Sequence, residues 1–383
     1  MLKLFLKSAV IYIVGTAAVL VFKFLALFFN LKLVRLNEKR IGHLVFDAEQ
    51  ILRTKKADEI ILVTYYDQEP CNIYMHELIK KSFYYSKYFS ILHNPKIKKV
   101  FKNYEKFLFD LNWKNGESRN LLLNKAHLKP TLNDNEQGNF FLENIGLNPS
   151  KIVAVIIRDS AYLSELDYHN YRDCKIENYY PMINYLLNKG YSVIRMGKKM
   201  NVKANISHPL FYDYAFSERR SDFLDVWIMM NACEVITTGT GLENITDISN
   251  KPYIGINYTP LLHYNSWNSL FWWAPKILCY KKTNMPVPLS EQIISGSIDF
   301  THSEQYDKAG YIFKETSPQL NLLILKEVLQ RRAFSYNDLY KKERSYIHKQ
   351  FMNSDLFETM HKSKKNFNLS SEFIKENQNW LLK

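Results

Sequence analysis

From Ala9 to Phe29 the chain is a nearly unbroken apolar run, AVIYIVGTAAVLVFKFLALFF, interrupted once by Lys23. Its length suits a helix that spans a bilayer, one that lies in the interface with Lys23 snorkelling, or one docked on the protein itself. Beyond it, short β-rich runs alternate with helical patterning, which predicts an α/β protein with parallel sheets. The first set comprises a strand and turn at Arg40–Phe46, a helix from Asp47 to Arg53, and a strand at Glu59–Tyr66. A partly helical Asn72–Tyr84, a short strand at Phe89–His93 and a helix at Lys98–Leu111 complete it. Trp113–Gly138 is polar, and its NDNEQG ending reads as a linker.

A second set begins with a short helix at Phe140–Leu147. Lys151–Ile157 (KIVAVII) has the near-continuous apolar character of a central strand covered on both faces. A helix at Asn178–Asn188 stops before Gly190, a suitable C′ residue, and strands follow at Tyr191–Ile194 and Phe211–Tyr214. Ser221 caps a helix reaching Ala232, with Asp222 and Asp225 suiting its first turn. Strands at Glu234–Thr237 and Tyr253–Asn257 flank a glycine-rich turn. The division expected is a membrane anchor helix over 1–31, a Rossmann-like lobe over 32–139, a second Rossmann-like lobe over 140–290, and a mostly helical region over 291–383. Ligands of such sheets sit at the carboxyl ends of the strands.

Charge changes the picture. Lys and Arg number 51 against 38 Asp and Glu, a net +13, which suits a nucleotide diphosphate or an anionic membrane surface. Nucleic acid is disfavoured, because no C2H2 spacing, RNP-like run or long Lys/Arg block occurs. The basic cluster Lys32, Arg35, Lys39 and Arg40 favours keeping the main domain on the cytoplasmic side of a membrane. Cys71, Cys174, Cys233 and Cys279 have no CxxC spacing, so neither a zinc site nor a disulfide scaffold is expected. No DxD pair follows an apolar strand, so neither a metal nor another cofactor is called for. Aromatics reach 15%; the stripe Trp267, Phe271, Trp272 and Trp273 reads as core or membrane-facing packing before a sugar platform.

Candidate chemistry clusters just after the strands. Arg158-Asp159-Ser160 follows KIVAVII, where a guanidinium can hold a diphosphate, or the Arg and Asp can simply pair. Arg195 and Gly197 end another strand. Thr238-Gly239-Thr240-Gly241-Leu242 joins a strand to a helix, where small residues free backbone amides for an anion; it is neither a Walker A loop nor a full GxGxxG. Asp213 and Asn257 follow two further strands and are candidates to bind the donor. His169 and Arg172, in a polar aromatic stretch, are candidates to touch acceptor. Gly42 and His43 end the first expected strand: the glycine admits substrate, and a neutral imidazole can take a proton from an attacking hydroxyl. Asp47 or Glu49 could orient His43 or act in its place.

In order, RIGHLVFDAEQILR, IIRDSAYL, HNYRD, GYSVIRMGK, DYAFSERRSDFLDVW and TTGTGLENI resemble a family of bacterial glycosyltransferases associated with surface-polysaccharide or lipopolysaccharide loci. The resemblance runs from about Arg40 to Asn257. It implies a two-lobed, GT-B-like enzyme that moves a sugar from a nucleotide-sugar donor to a glycan or lipid-linked acceptor, without a metal and with inversion. His43 or Asp47 would be the base and Arg158 the residue that offsets charge on the leaving diphosphate. Arg158-Asp159 is also similar to the arginine motif of GDP-sugar fucosyltransferases, although their preceding His is Ile157 here. Two alternatives stand beside this reading. One is a nucleotide-binding assembly protein without catalysis. The other, a hydrolase or nucleotide-sugar epimerase, lacks a nicotinamide fingerprint or an ordered nucleophile–base set.

Overall fold

The computed structural model describes residues 2–65, 69–111, 125–161, 167–333, 340–352 and 366–381. The expected Trp113–Gly138 linker lies partly outside them. The chain divides into two compact units, one of Met1–Asn112 with Ala126–Lys129 and one of Trp113–Lys125 with Pro130–Lys383.

The first unit opens with α1 (Leu2–Leu25). Among the described residues no helix is long and apolar enough to cross a membrane. The inner face of α1 is docked on the protein. Phe22 is fully buried and meets Phe89, Phe101 and Phe107 edge-on, at ring-centroid distances of 6.0, 5.6 and 5.4 Å. Gly15 lets the backbone in close, since a Cβ there would lie 2.3 Å from Ile97. A parallel sheet follows, in the order β1 (Asn30–Leu36), β2 (Glu59–Tyr65) and β3 (Tyr84–Tyr85).

Two expectations are corrected here. Arg40–Phe46 is not a strand, because α2 runs from Ile41 to Thr54. Leu44, Val45, Ala48 and Ile51 are all fully buried on it, a helical spacing that the local β-propensity of LVF masks. The first strand is β1, which follows the apolar run directly and carries Lys32 and Arg35 of the basic cluster. Phe89–His93 is likewise part of a 3₁₀ turn (Tyr88–His93) leading to α3 (Pro95–Val100).

The second unit begins with α4 (Leu132–Asn144), which replaces the end of the expected linker. Thr131 and Asp134 cap it reciprocally. Gly138 lies directly against the Trp227 ring, where a Cβ would come within 2.1 Å. Six parallel strands form the sheet: β4 (Ile152–Ile156), β5 (Ser192–Arg195), β6 (Phe211–Tyr212), β7 (Glu234–Thr237), β8 (Tyr253–Tyr258) and β9 (Phe271–Pro275). Their spatial order is β6-β5-β4-β7-β8-β9. That is the doubly wound Rossmann order, which reverses between β4 and β7. The aromatic stripe is core, with Phe271 and Trp273 on β9 almost wholly buried. Thus the α/β class with parallel sheets stands: the first unit has a three-stranded sheet, and the second has the six-stranded sheet and a small antiparallel pair, Ile277–Tyr280 with Tyr311–Lys314.

Candidate active site

In a doubly wound sheet the ligand crevice opens at the carboxyl ends of the strands where their order reverses. Here it lies between the loops after β4 and β7. The backbone N–H of Arg158 donates to Thr238 Oγ1 at 3.0 Å, and the Thr238 N–H donates to Ile156 O at 3.2 Å, so the two loops are stitched together. The Arg158 side chain is 14% exposed, and its Nε donates to Asp173 Oδ1 at 2.9 Å. The guanidinium is therefore both a partner of Asp173 and a cation at the mouth. Burial raises the Asp173 carboxyl, partly offset by Arg158.

The turn after β7 is held from beneath. Gly239 has φ +85°, open to glycine at little cost. Glu243, the first residue of the short helix α5 (Glu243–Ile248), is buried. Its carboxylate accepts from Thr237 Oγ1 at 2.5 Å, the Thr240 N–H at 2.9 Å and the Tyr258 hydroxyl at 2.8 Å. Burial raises its pKa, against those same hydrogen bonds. Gly239 N–H turns back to Thr237 Oγ1 at 3.2 Å. The expected cradle is thus smaller than the motif suggested. The amides of Thr238, Gly239 and Thr240 are already engaged, whereas those of Gly241 and Leu242 donate to no described protein group.

Arg195 ends β5 at the same edge but is no open cation. It is 1% exposed, donates to Val202 O at 2.7 Å and Asp213 Oδ2 at 3.2 Å, and lies over the Phe216 ring. Asp213 also accepts from the Ala204 N–H, so this pair braces the loop after β5. Gly197 admits Met200, whose Cγ would come within 2.9 Å of a Cβ. Asp159 accepts from the N–H groups of Ala161 and Asn201, tying the ends of β4 and β5. Asn257, at φ +58° and fully buried, accepts from Thr316 and donates to the Tyr179 hydroxyl. Asp159, Arg195, Asp213 and Asn257 are therefore held by hydrogen bonds to the protein's own groups.

His169 and Arg172 come to the same edge. The Cys174 N–H donates to Arg158 O, which holds the segment between them close. His169 Nδ1 meets Thr301 O at 3.0 Å, and burial, together with Arg172 and Arg158, pushes its pKa down to about 4. Arg172 donates to the Tyr171 hydroxyl at 3.1 Å. Beneath them the buried Lys276 donates to the carbonyls of Tyr171 and Asp173. Lys276 and the anchoring role of Glu243 carry no motif of their own; a lysine directly after an apolar strand is the one available signal for the first. Beside this crevice an open groove of about 830 Å³ is lined by Ser160, Asn170, Lys199, Met200, Asn201 and Phe216, among others.

Gly42, His43 and Asp47 lie in the first unit, on α2 just beyond the carboxyl end of β1. His43 is half-buried, and burial first, then Arg40, lowers its pKa, leaving the ring neutral at pH 7. Asp47 is buried one turn on. Glu49 is removed as a candidate: its buried carboxylate accepts from Arg53 and from the N–H groups of His127 and Leu128. Among the described residues no cluster of His, Cys, Asp and Glu suits a metal ion.

No protein-family model matches the chain, and no curated protein matches its sequence. Solved structures with a similar backbone include E. coli ADP-heptose lipopolysaccharide heptosyltransferase II, at TM-score 0.41 and 10% identity over 64% of this chain and 91% of that one. A glycosyl transferase family 9 protein from Veillonella parvula superposes at TM-score 0.46 and 10% identity, over 78% of this chain and 97% of that one. Likenesses this distant decide nothing about activity, which has to be argued from the crevice.

Proposed function

We propose that this chain is a glycosyltransferase of surface-polysaccharide or lipopolysaccharide synthesis. It moves a sugar from a nucleotide-sugar donor to a glycan or lipid-linked acceptor, at the cytoplasmic face of the cell membrane. The observation that carries this is the strand-order reversal between β4 and β7, with Arg158 at its mouth and the Gly241 and Leu242 amides beside it. A cation and unengaged amides at that point suit a pyrophosphate.

The reaction is a single displacement. The acceptor oxygen forms a bond to the anomeric carbon as the bond from that carbon to the diphosphate oxygen breaks, and the electron pair leaves with the diphosphate. Arg158 offsets the charge that develops there, the kind of preorganised electrostatic help that usually dominates catalysis. The acceptor proton goes to a general base, for which His43 and, as the alternative, Asp47 of the first unit are the candidates. The donor sugar and base are the open variables. Thermal shift of the full chain with UDP-, GDP-, CMP- and dTDP-sugars tests the reading. One nucleotide series should stabilise it, and Arg158→Ala should remove that stabilisation. No response to any series would refute a nucleotide-sugar site. Donor binding that survives alongside full function when His43 and Asp47 are each replaced would favour the non-catalytic assembly protein.

A further inference from the structure

The outer face of α1 is as apolar as its docked face. Val10, Ile13, Leu20, Phe24 and, in the turn beyond it, Leu27 and Phe28 stand out from the protein, Ile13 at 70% and Leu27 at 78% exposure. Their spacing of three, four and seven residues makes one stripe. The helix is about 36 Å long by its rise per residue. On its other side α1 packs on α3, where Gly15 meets Ile97. There the chain from Tyr84 to Tyr104 carries Lys87, Lys96, Lys98, Lys99 and Lys102 and no carboxylate side chain. Tyr84 and Tyr88 are exposed in the same segment.

We infer that the first unit lies on an anionic bilayer, with α1 parallel to the surface, its outer stripe in the acyl boundary and the α3 lysines at the headgroup phosphates. Apolar insertion and lysine–headgroup attraction are the two components of in-plane binding, and tyrosine and lysine are the residues found at headgroup depth. A second copy of this chain suits the face less well: α1 and the 84–104 segment hold no carboxylates to meet those lysines. This inference rests on no part of the sugar-transfer reading, since donor binding in solution is a separate measurement.

The test is flotation of the full chain with vesicles of phosphatidylglycerol and phosphatidylcholine, against vesicles of phosphatidylcholine alone. The wild type should float with the anionic vesicles and bind them less in high salt. Ile13→Ser combined with Phe24→Ser should weaken binding at least tenfold, and neutralising Lys98 and Lys99 should weaken it about fivefold per lysine on anionic vesicles only. Both variants change exposed side chains, and an unaltered melting temperature confirms that they fold. The inference fails if the wild type ignores anionic vesicles or if the serine variant binds undiminished. It also fails if the chain forms a concentration-dependent dimer that the serine variant abolishes.

Discussion

At the scale of single residues, Arg158 combines two roles that its backbone and side chain keep apart. Its N–H holds Thr238, and its guanidinium faces Asp173 at the mouth of the crevice. Arg158→Ala should therefore keep the fold, with a melting temperature close to wild type, while lowering kcat by about a hundred- to a thousandfold in a donor-turnover assay. Near-normal turnover would take Arg158 out of the mechanism. Glu243 is the contrasting case. Glu243→Ala strands a buried hydroxyl on Thr237, another on Tyr258 and the Thr240 amide. Each stranded donor costs about 1–3 kcal/mol, so denaturant unfolding should show a clear loss of stability as well as weaker donor binding. Unchanged stability would mean the turn does not depend on that carboxylate.

Between elements, His93 fastens the turn before α3 to β2. The Thr64 hydroxyl donates to Val34 O, so His93 Nε2–H donates to Thr64 at 2.8 Å and Nδ1 accepts from the Tyr104 hydroxyl at 2.6 Å. Burial first, then Arg35 and Lys98, push its pKa down to about 4 from 6.5. The unfolded chain therefore takes up that proton first. The stabilisation is complete above pH 6.5 and is lost as pH falls from there towards 4. Melting temperatures across that window should drop, and His93→Gln should flatten the fall in its upper half; an identical slope would exclude His93 as its source. Gly138 joins α4 to the helix carrying Trp227 (Asp222–Asn231). Gly138→Ala should destabilise the protein by about 1–3 kcal/mol through overpacking, measured by urea unfolding, and no loss would show that the ring yields. Elements whose own periodicity specified them were legible in the sequence, above all β4, β7 and β8. Those misread drew their form from distant partners: α2 from burial along one face, α4 from Trp227, and Asn257 from Thr316, 59 positions later. The reversal of strand order on which the placement rule for the crevice depends is present in the structure. A motif could not show that Arg195 is held by Asp213.

At the scale of the whole molecule, basic character and the apolar start of the chain were both plain from the residues, and both entered the membrane reading. Of the three readings open for the apolar run, the docked helix describes its inner face: α1 is an internal part of its unit. Phe22 sits among three other rings, and Val19 shares the same core with Leu33 of β1. Trimming the first 25 residues to obtain a better-behaved sample would excise that centre, at a cost of about 3–5 kcal/mol for the Phe22 ring alone. The shortened protein should aggregate more, not less, and solubilising it by replacing outward-facing residues would be the sounder route to crystals.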